Sequence, residues 1–279
     1  MVRRLRLDGT SLRLEDFQAL LDGESVQLSI APDAKRAVRA ARKLVDQHVA
    51  AGDAVYGLTT GFGKLKSVAI ERGDLEQLQE NLVLSHCCGV GAPMPRNEVR
   101  AAQVLRINGL VRGHSGVRLA TLEKLVRLFN AGFTPEIPQQ GSVGASGDLA
   151  PLAHMAAATM GHGRASVGDG KVTSARRALK ALGEEPVVLA AKEGLALING
   201  TEIMKGTGVL AYLRACNVSR AADAIAALSI EALFGSLKPF DERLAALKGH
   251  TGHARCAANV RACLVDSEVL QSHQDCDRV

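Results

Sequence analysis

Aromatic side chains are scarce in this chain of 279 residues, at 3%: it has no Trp, two Tyr and six Phe. A core so poor in rings must be filled by Leu, Val, Ile and Ala, which suits closely packed helices. Long apolar runs are missing too, so no segment reads as a membrane span. The six cysteines, Cys87, Cys88, Cys216, Cys256, Cys263 and Cys276, form no CxxC pair and no zinc spacing with histidine. A basic stripe interleaved with aromatics is absent. The net charge of +5 comes from Lys and Arg scattered among Asp and Glu, so a solvated surface is expected rather than a nucleic-acid face. The opening MVRRLR leads into polar sequence, not the apolar core of a signal peptide. With reduced thiols, the cytoplasm is the expected location.

Hydrophobic residues make up 47% of the chain, ample for a sizeable core. Helical periodicity runs from Asp33 to Ala51, stops at Gly52, and resumes from Asp74, a good N-cap, to Gly89. Two more amphipathic segments cover Asn97–Arg112 and Val117–Asn130. Between them and the first helix, VYGLTTGFGK (Val55–Lys64) holds three glycines and two threonines and reads as a mobile loop. Pro135 and Pro138 break the chain before another helix near Asp148, which tolerates Pro151 in its first turn. Gly168-Asp169-Gly170 predicts a small β-hairpin. From about Thr201 to Leu233 the chain is helix-compatible nearly throughout, a length typical of a long bundle. Few segments remain to cover that helix, so a fragment, or a subunit needing another chain, is expected.

The most informative stretch is Gly141-Ser142-Val143-Gly144-Ala145-Ser146-Gly147-Asp148. It reads first as a glycine-rich turn ahead of a helix. A nucleophile elbow requires G-x-S-x-G, and here the second glycine is displaced. A phosphate-binding loop ends in Gly-Lys-Ser/Thr, and Asp148 stands where a cation is wanted. A third reading suits each residue. Gly147 lacks a side chain, so its amide nitrogen can approach the Ala145 carbonyl carbon closely. Ring closure with loss of one water, and loss of a second from Ser146, leaves an exocyclic methylidene electrophile.

GSVGASGDLAPLAHM (Gly141–Met155) closely resembles the signature of the aromatic amino acid lyases. VYGLTTGFGKL (Val55–Leu65), NLVLSHCCGVG (Asn81–Gly91), KEGLALINGT (Lys192–Thr201) and the terminal HQDCDRV match in family order, so the similarity covers essentially the whole chain. The resemblance implies the cofactor 4-methylidene-imidazole-5-one (MIO), formed from Ala145-Ser146-Gly147, with no metal and no nucleotide. It implies that Tyr56 removes the substrate's β-proton, that His86 contacts the substrate side chain, and that Asn199 holds the substrate and supports the MIO site. His86 also reads as a helix-capping residue, and Asn199 as an N-cap ahead of Gly200-Thr201. Asp148 either orients the loop during cyclisation or favours a helix N-terminus electrostatically.

Ser85-His86 is typical of histidine-specific members, which eliminate ammonia from L-histidine to give trans-urocanate. Some tyrosine-acting lyases and aminomutases also carry it, and Cys87-Cys88 replaces small residues common there. His250 and His253 lack acidic or thiol partners nearby and read as surface. The implied fold is mainly helical: an N-terminal mixed domain over residues 1–200 carries the MIO loop, and residues 201–279 begin a long antiparallel bundle, the remainder being absent. Members assemble as homotetramers whose sites draw on several subunits. A partial chain is therefore expected to be poorly active unless a second chain completes it, and a non-catalytic fragment is the reading from another class.

Overall fold

The computed structural model describes residues 2–273 apart from 54, 56, 59 and 61–71. The chain is mainly helical. It divides into two compact units, residues 1–210 and 211–279.

The first unit opens with strand β1 (Val2–Leu7), helix α1 (Gln18–Leu21) and strand β2 (Ser25–Ile30). The two strands pair in parallel, from Val2 opposite Ser25 to Leu7 opposite Ile30. Parallel pairing demands a crossover rather than a tight hairpin, and residues 8–24 supply it. Helix α2 (Pro32–Ala51) has Pro at its first position and Gly52 as its cap, and buries Ala34, Val38 and Val45. Helix α3 (Leu75–Ser85) ends four residues before the Gly89 suggested by periodicity. Strand β3 (Val90–Pro93) follows, then helices α4 (Arg96–Leu110) and α5 (Leu119–Asn130).

Strands β4 (Phe133–Pro135) and β5 (Pro138–Gln140) flank the Pro135–Pro138 break. Helix α6 (Leu149–Thr159) buries nine of its eleven residues, including four alanines among Ala150–Ala157 and Ala158 beyond them. Small side chains on nearly every face let α3, α7 (Ala175–Ala181), α8 (Glu193–Ile198) and the short strands pack closely round it. Its Ala158 shares a buried cluster with Leu128, Phe133, Ala165 and Leu179. The predicted hairpin is present: β6 (Arg164–Val167) pairs antiparallel with β7 (Thr173–Ser174).

Helix α9 (Glu202–Ala232) carries the chain from the first unit into the second. The second unit adds α10 (Glu242–Lys248), α11 (Thr251–Cys263) and α12 (Glu268–Gln271). Its core is small, built on Ala227, Val260 and Leu264 with Ile230, Leu237, Phe240 and Leu270 around them. Val218, Ile225 and Leu228 along α9 stay exposed, as does Leu233 just after it. Among the described residues, no helix is long and apolar enough to cross a membrane.

Candidate functional site

The glycine-rich stretch lies between β5 and α6, and its tip is set by the turn after α8. Ala145 and Ser146 are exposed, Gly147 is half-buried and Asp148 is buried. Ser146 holds φ +64° and Gly147 φ +100°. A serine in the left-handed region costs on the order of 1–2 kcal/mol, so the surrounding structure must hold it there. A side chain at residue 147 has no room: its Cβ would stand 2.9 Å from the Gly200 carbonyl carbon and would collide with that carbonyl's oxygen.

Residues 199–200 do the holding. The Asn199 side-chain amide Nδ2 donates to the Ser146 carbonyl at 3.2 Å and lies 3.3 Å from Ser146 Oγ. The Asp148 N–H donates to the Gly200 carbonyl at 2.6 Å. Asn199 is the C-cap of α8 and does not cap α9. Its amide is thus free for the glycine-rich loop.

Asp148 stands before α6, yet its side chain makes no capping bond to that helix. Oδ2 accepts from the Met204 N–H at 2.9 Å, in the first turn of α9, and Oδ1 accepts from Ser142 Oγ at 2.8 Å. The carboxylate does face a helix N-terminus, but that of α9. The same carboxylate ties down the loop through Ser142.

The turn presenting Asn199 is anchored at both ends of α8. Glu193 at its start is fully buried and accepts from the Arg118 N–H (2.8 Å), the Arg118 guanidinium (2.6 Å), Thr121 Oγ1 (2.7 Å) and the Ala190 N–H (2.9 Å). Gln79 of α3 accepts from the Gly194 N–H at 2.9 Å. At the far end, Arg106 of α4 pairs with Glu202 at 2.9 Å. Burial lowers the Arg106 guanidinium from its usual value, and the Glu202 carboxylate beside it opposes that shift. Glu193, Arg106 and Glu202 escaped sequence reading because an isolated charge in a helical pattern is ordinarily solvated.

His86 is the C-cap of α3. Its Nδ1 donates to the Leu82 carbonyl at 2.8 Å, so the capping reading holds. A carbonyl can only accept, which assigns a proton to Nδ1; in the neutral tautomer that satisfies this bond, Nε2 is the acceptor. The segment after His86 lies beside the root of the glycine-rich stretch: β3 pairs with β5, and the Gly89 N–H donates to His154 Nε2 at 3.1 Å. Among the described residues no hydrogen bond joins His86 to Ala145–Gly147. Tyr56 and Cys276 lie outside the described residues, so the proton-abstraction assignment has no geometry here. Among the described residues no cluster of three or more His, Cys, Asp or Glu is placed to hold a metal.

The aromatic amino acid lyase model matches residues 12–279. The chain belongs to the aromatic amino acid lyase family. It is 47% identical to the histidine ammonia-lyase of Myxococcus xanthus over 277 residues, 99% of this chain and 54% of that protein. It is 48% identical to that of Anaeromyxobacter dehalogenans, covering 97% of this chain and 54% of the relative. The chain thus spans about half the length of the curated relatives it matches. Among solved structures, histidine ammonia-lyase from Trypanosoma cruzi superposes with a TM-score of 0.87 at 39% identity, over 93% of this chain and 50% of that one. Tyrosine aminomutase from Streptomyces globisporus gives 0.89 at 33% identity, over 99% and 54%. The backbone of this chain thus superposes equally well on a histidine ammonia-lyase and on a tyrosine aminomutase.

Proposed function

We propose that this chain is the electrophile-building part of a histidine ammonia-lyase, acting in non-oxidative deamination of L-histidine to trans-urocanate and ammonia. The observation that carries the reading is the convergence of Asn199 and Gly200 on Ser146-Gly147. Gly147 is pressed against the Gly200 carbonyl where no side chain fits, and the Asn199 amide addresses the Ser146 carbonyl and hydroxyl. These residues suit the MIO group. In its formation the Gly147 nitrogen bonds to the Ala145 carbonyl carbon with loss of one water, and Ser146 then loses its hydroxyl and α-proton as a second. Donation from Asn199 Nδ2 draws electron density from the Ser146 carbonyl and favours both the acidity of its α-proton and departure of Oγ. Asp148, locked by Ser142 and Met204, fixes the loop while this happens.

Once formed, the group supplies an electrophilic carbon for the substrate's amine. Asn199 then holds the amino acid, His86 offers Nε2 to the N–H of the substrate imidazole, and Tyr56 takes the β-proton. Such a phenol needs a lowered pKa, hence a positive neighbour or helix N-terminus. Identities of 39–49% to histidine ammonia-lyases, against 33–35% to tyrosine aminomutases, favour histidine over tyrosine or phenylalanine.

Residues 1–200 form the domain carrying the loop, and residues 201–279 begin the central bundle. The exposed apolar face of α9 supports assembly with further helices, as a homotetramer or with a complementing C-terminal chain in the cytoplasm. Intact-mass analysis tests the reading: a deficit of two waters mapped to residues 145–147 is expected, and a freshly prepared, fully assembled protein with unmodified peptide there would refute it. Assays with histidine, tyrosine and phenylalanine side by side read the substrate, with little urocanate expected from residues 1–279 alone.

A further inference from the structure

Arg106 connects three things that are distant in sequence. Its Nη1 pairs with Glu202 Oε2 at 2.9 Å, at the start of α9. Its Nη2 donates to the carbonyls of Ala196 and Asn199, the latter at 3.1 Å. These carbonyls lie at the C-terminal end of α8, where helix geometry leaves acceptors without intrahelical donors. Arg106 and Glu202 are 6% and 8% exposed, and a Cβ on Gly200 would collide with both of them. The guanidinium therefore packs directly against the turn that meets Ser146 and Gly147.

A buried ion pair is a costly way to join two helices. Both ions must give up their water, and apolar side chains of similar volume often do the same at no loss of stability. What apolar side chains cannot do is fix directions. A planar guanidinium sets a carboxylate and two carbonyls at defined angles to one another. The carbonyl of Asn199 is gripped from behind while the amide of the same residue reaches forward to Ser146.

The geometry points to Arg106 as a positioning residue for the condensation at Ala145–Gly147: anchored on Glu202, it sets the Asn199–Gly200 turn so that Asn199 meets Ser146 and the Gly200 carbonyl receives the Asp148 N–H. Arg106 touches none of the condensing atoms and acts through Asn199 and Gly200. The inference rests on the proposal that Ala145–Gly147 condense.

Two variants of the 279-residue chain test it. R106K keeps the charge but gives up the planar fork, and the double variant R106M/E202M removes the pair without leaving a lone buried charge. Helix content and thermal unfolding report folding. Hydrogen exchange at the Asp148 amide reports the Gly200 contact, and intact mass followed through time reports loss of the two waters. Folded variants are expected to exchange the Asp148 amide faster and to lose water more slowly, each on the order of tenfold or more. Parental exchange and parental water loss in a folded variant would reduce the pair to a staple between α4 and α9 and overturn the inference. Should the double variant not fold, R106K decides alone. Should the 279-residue parent retain both waters, mass is read on the fully assembled protein, where unmodified peptide refutes the condensation reading, while Asp148 exchange still decides whether Arg106 sets the turn.

Discussion

The carbonyl oxygen of Gly200 occupies the space that a side chain at Gly147 would need. Residue 147 also holds φ +100°, where L side chains are strained. G147A is therefore expected to push the two turns apart, at a cost of about 1–3 kcal/mol. Thermal unfolding measures that loss, and intact mass is expected to show both waters retained at residues 145–147.

Asn199 is exposed, so its removal should test chemistry more than folding. N199A is expected to change stability by only about 0.5 kcal/mol. It should slow loss of the two waters markedly, because no donor then addresses the Ser146 carbonyl or hydroxyl. An unaltered rate in N199A would sever the link between the contact and the reaction.

Asp148 is buried with both carboxylate oxygens engaged, one by Ser142 and one by Met204. D148A removes the acceptor of the Ser142 hydroxyl and of the Met204 N–H, which water can partly replace at these exposed residues, at about 0.5–1.5 kcal/mol for each lost bond. A lower unfolding midpoint, together with faster hydrogen exchange at the Met204 amide, is the expected result.

Glu193 has no exposure and accepts from Arg118, Thr121 and Ala190. Truncation to E193A leaves the buried Thr121 hydroxyl without its acceptor, at about 1–3 kcal/mol in urea unfolding, whereas the partly exposed Arg118 guanidinium can turn to water. E193Q keeps the shape and some of the acceptors, and should fall between the two.

His154 gives a pH dependence of known sign. Burial lowers its imidazole from the ordinary value near 6.5, and its Nε2 must stay unprotonated to accept from the Gly89 N–H. The unfolded chain then binds this proton at a higher pH than the folded one. His154 thus contributes stability that is whole above pH 6.5 and is lost as pH falls below it toward the folded pKa. H154Q, whose amide oxygen can still accept from Gly89, is expected to show a smaller drop in urea midpoint between pH 7.5 and 5.5 than the parent.

Much of the helical framework was legible from periodicity and punctuation. The long apolar recurrence over residues 33–51 became α2, and the alanine- and leucine-rich run after Thr201 became α9. The β1–β2 pair was not legible, because VRRLRL is half arginine and its partner lies beyond a crossover. The motif residues Ser146 and Asn199 were legible as candidates, but not the hydrogen bonds that join them. Their meeting depends on α8 being held at one end by Glu193 and at the other by Arg106, two charges that pattern alone assigns to solvent.

What the amino-acid order determined by itself is chemical: an Ala-Ser-Gly run ahead of a helix, in company with family motifs in their usual sequence. What only the tertiary structure decided is which groups press on that run. Hydrogen-bond direction and steric exclusion arise between segments some fifty residues apart, and local pattern carries no record of such distances. The Asn199 amide, the Gly200 carbonyl and the buried Arg106 behind them gain their roles from packing around the alanine-lined helix α6.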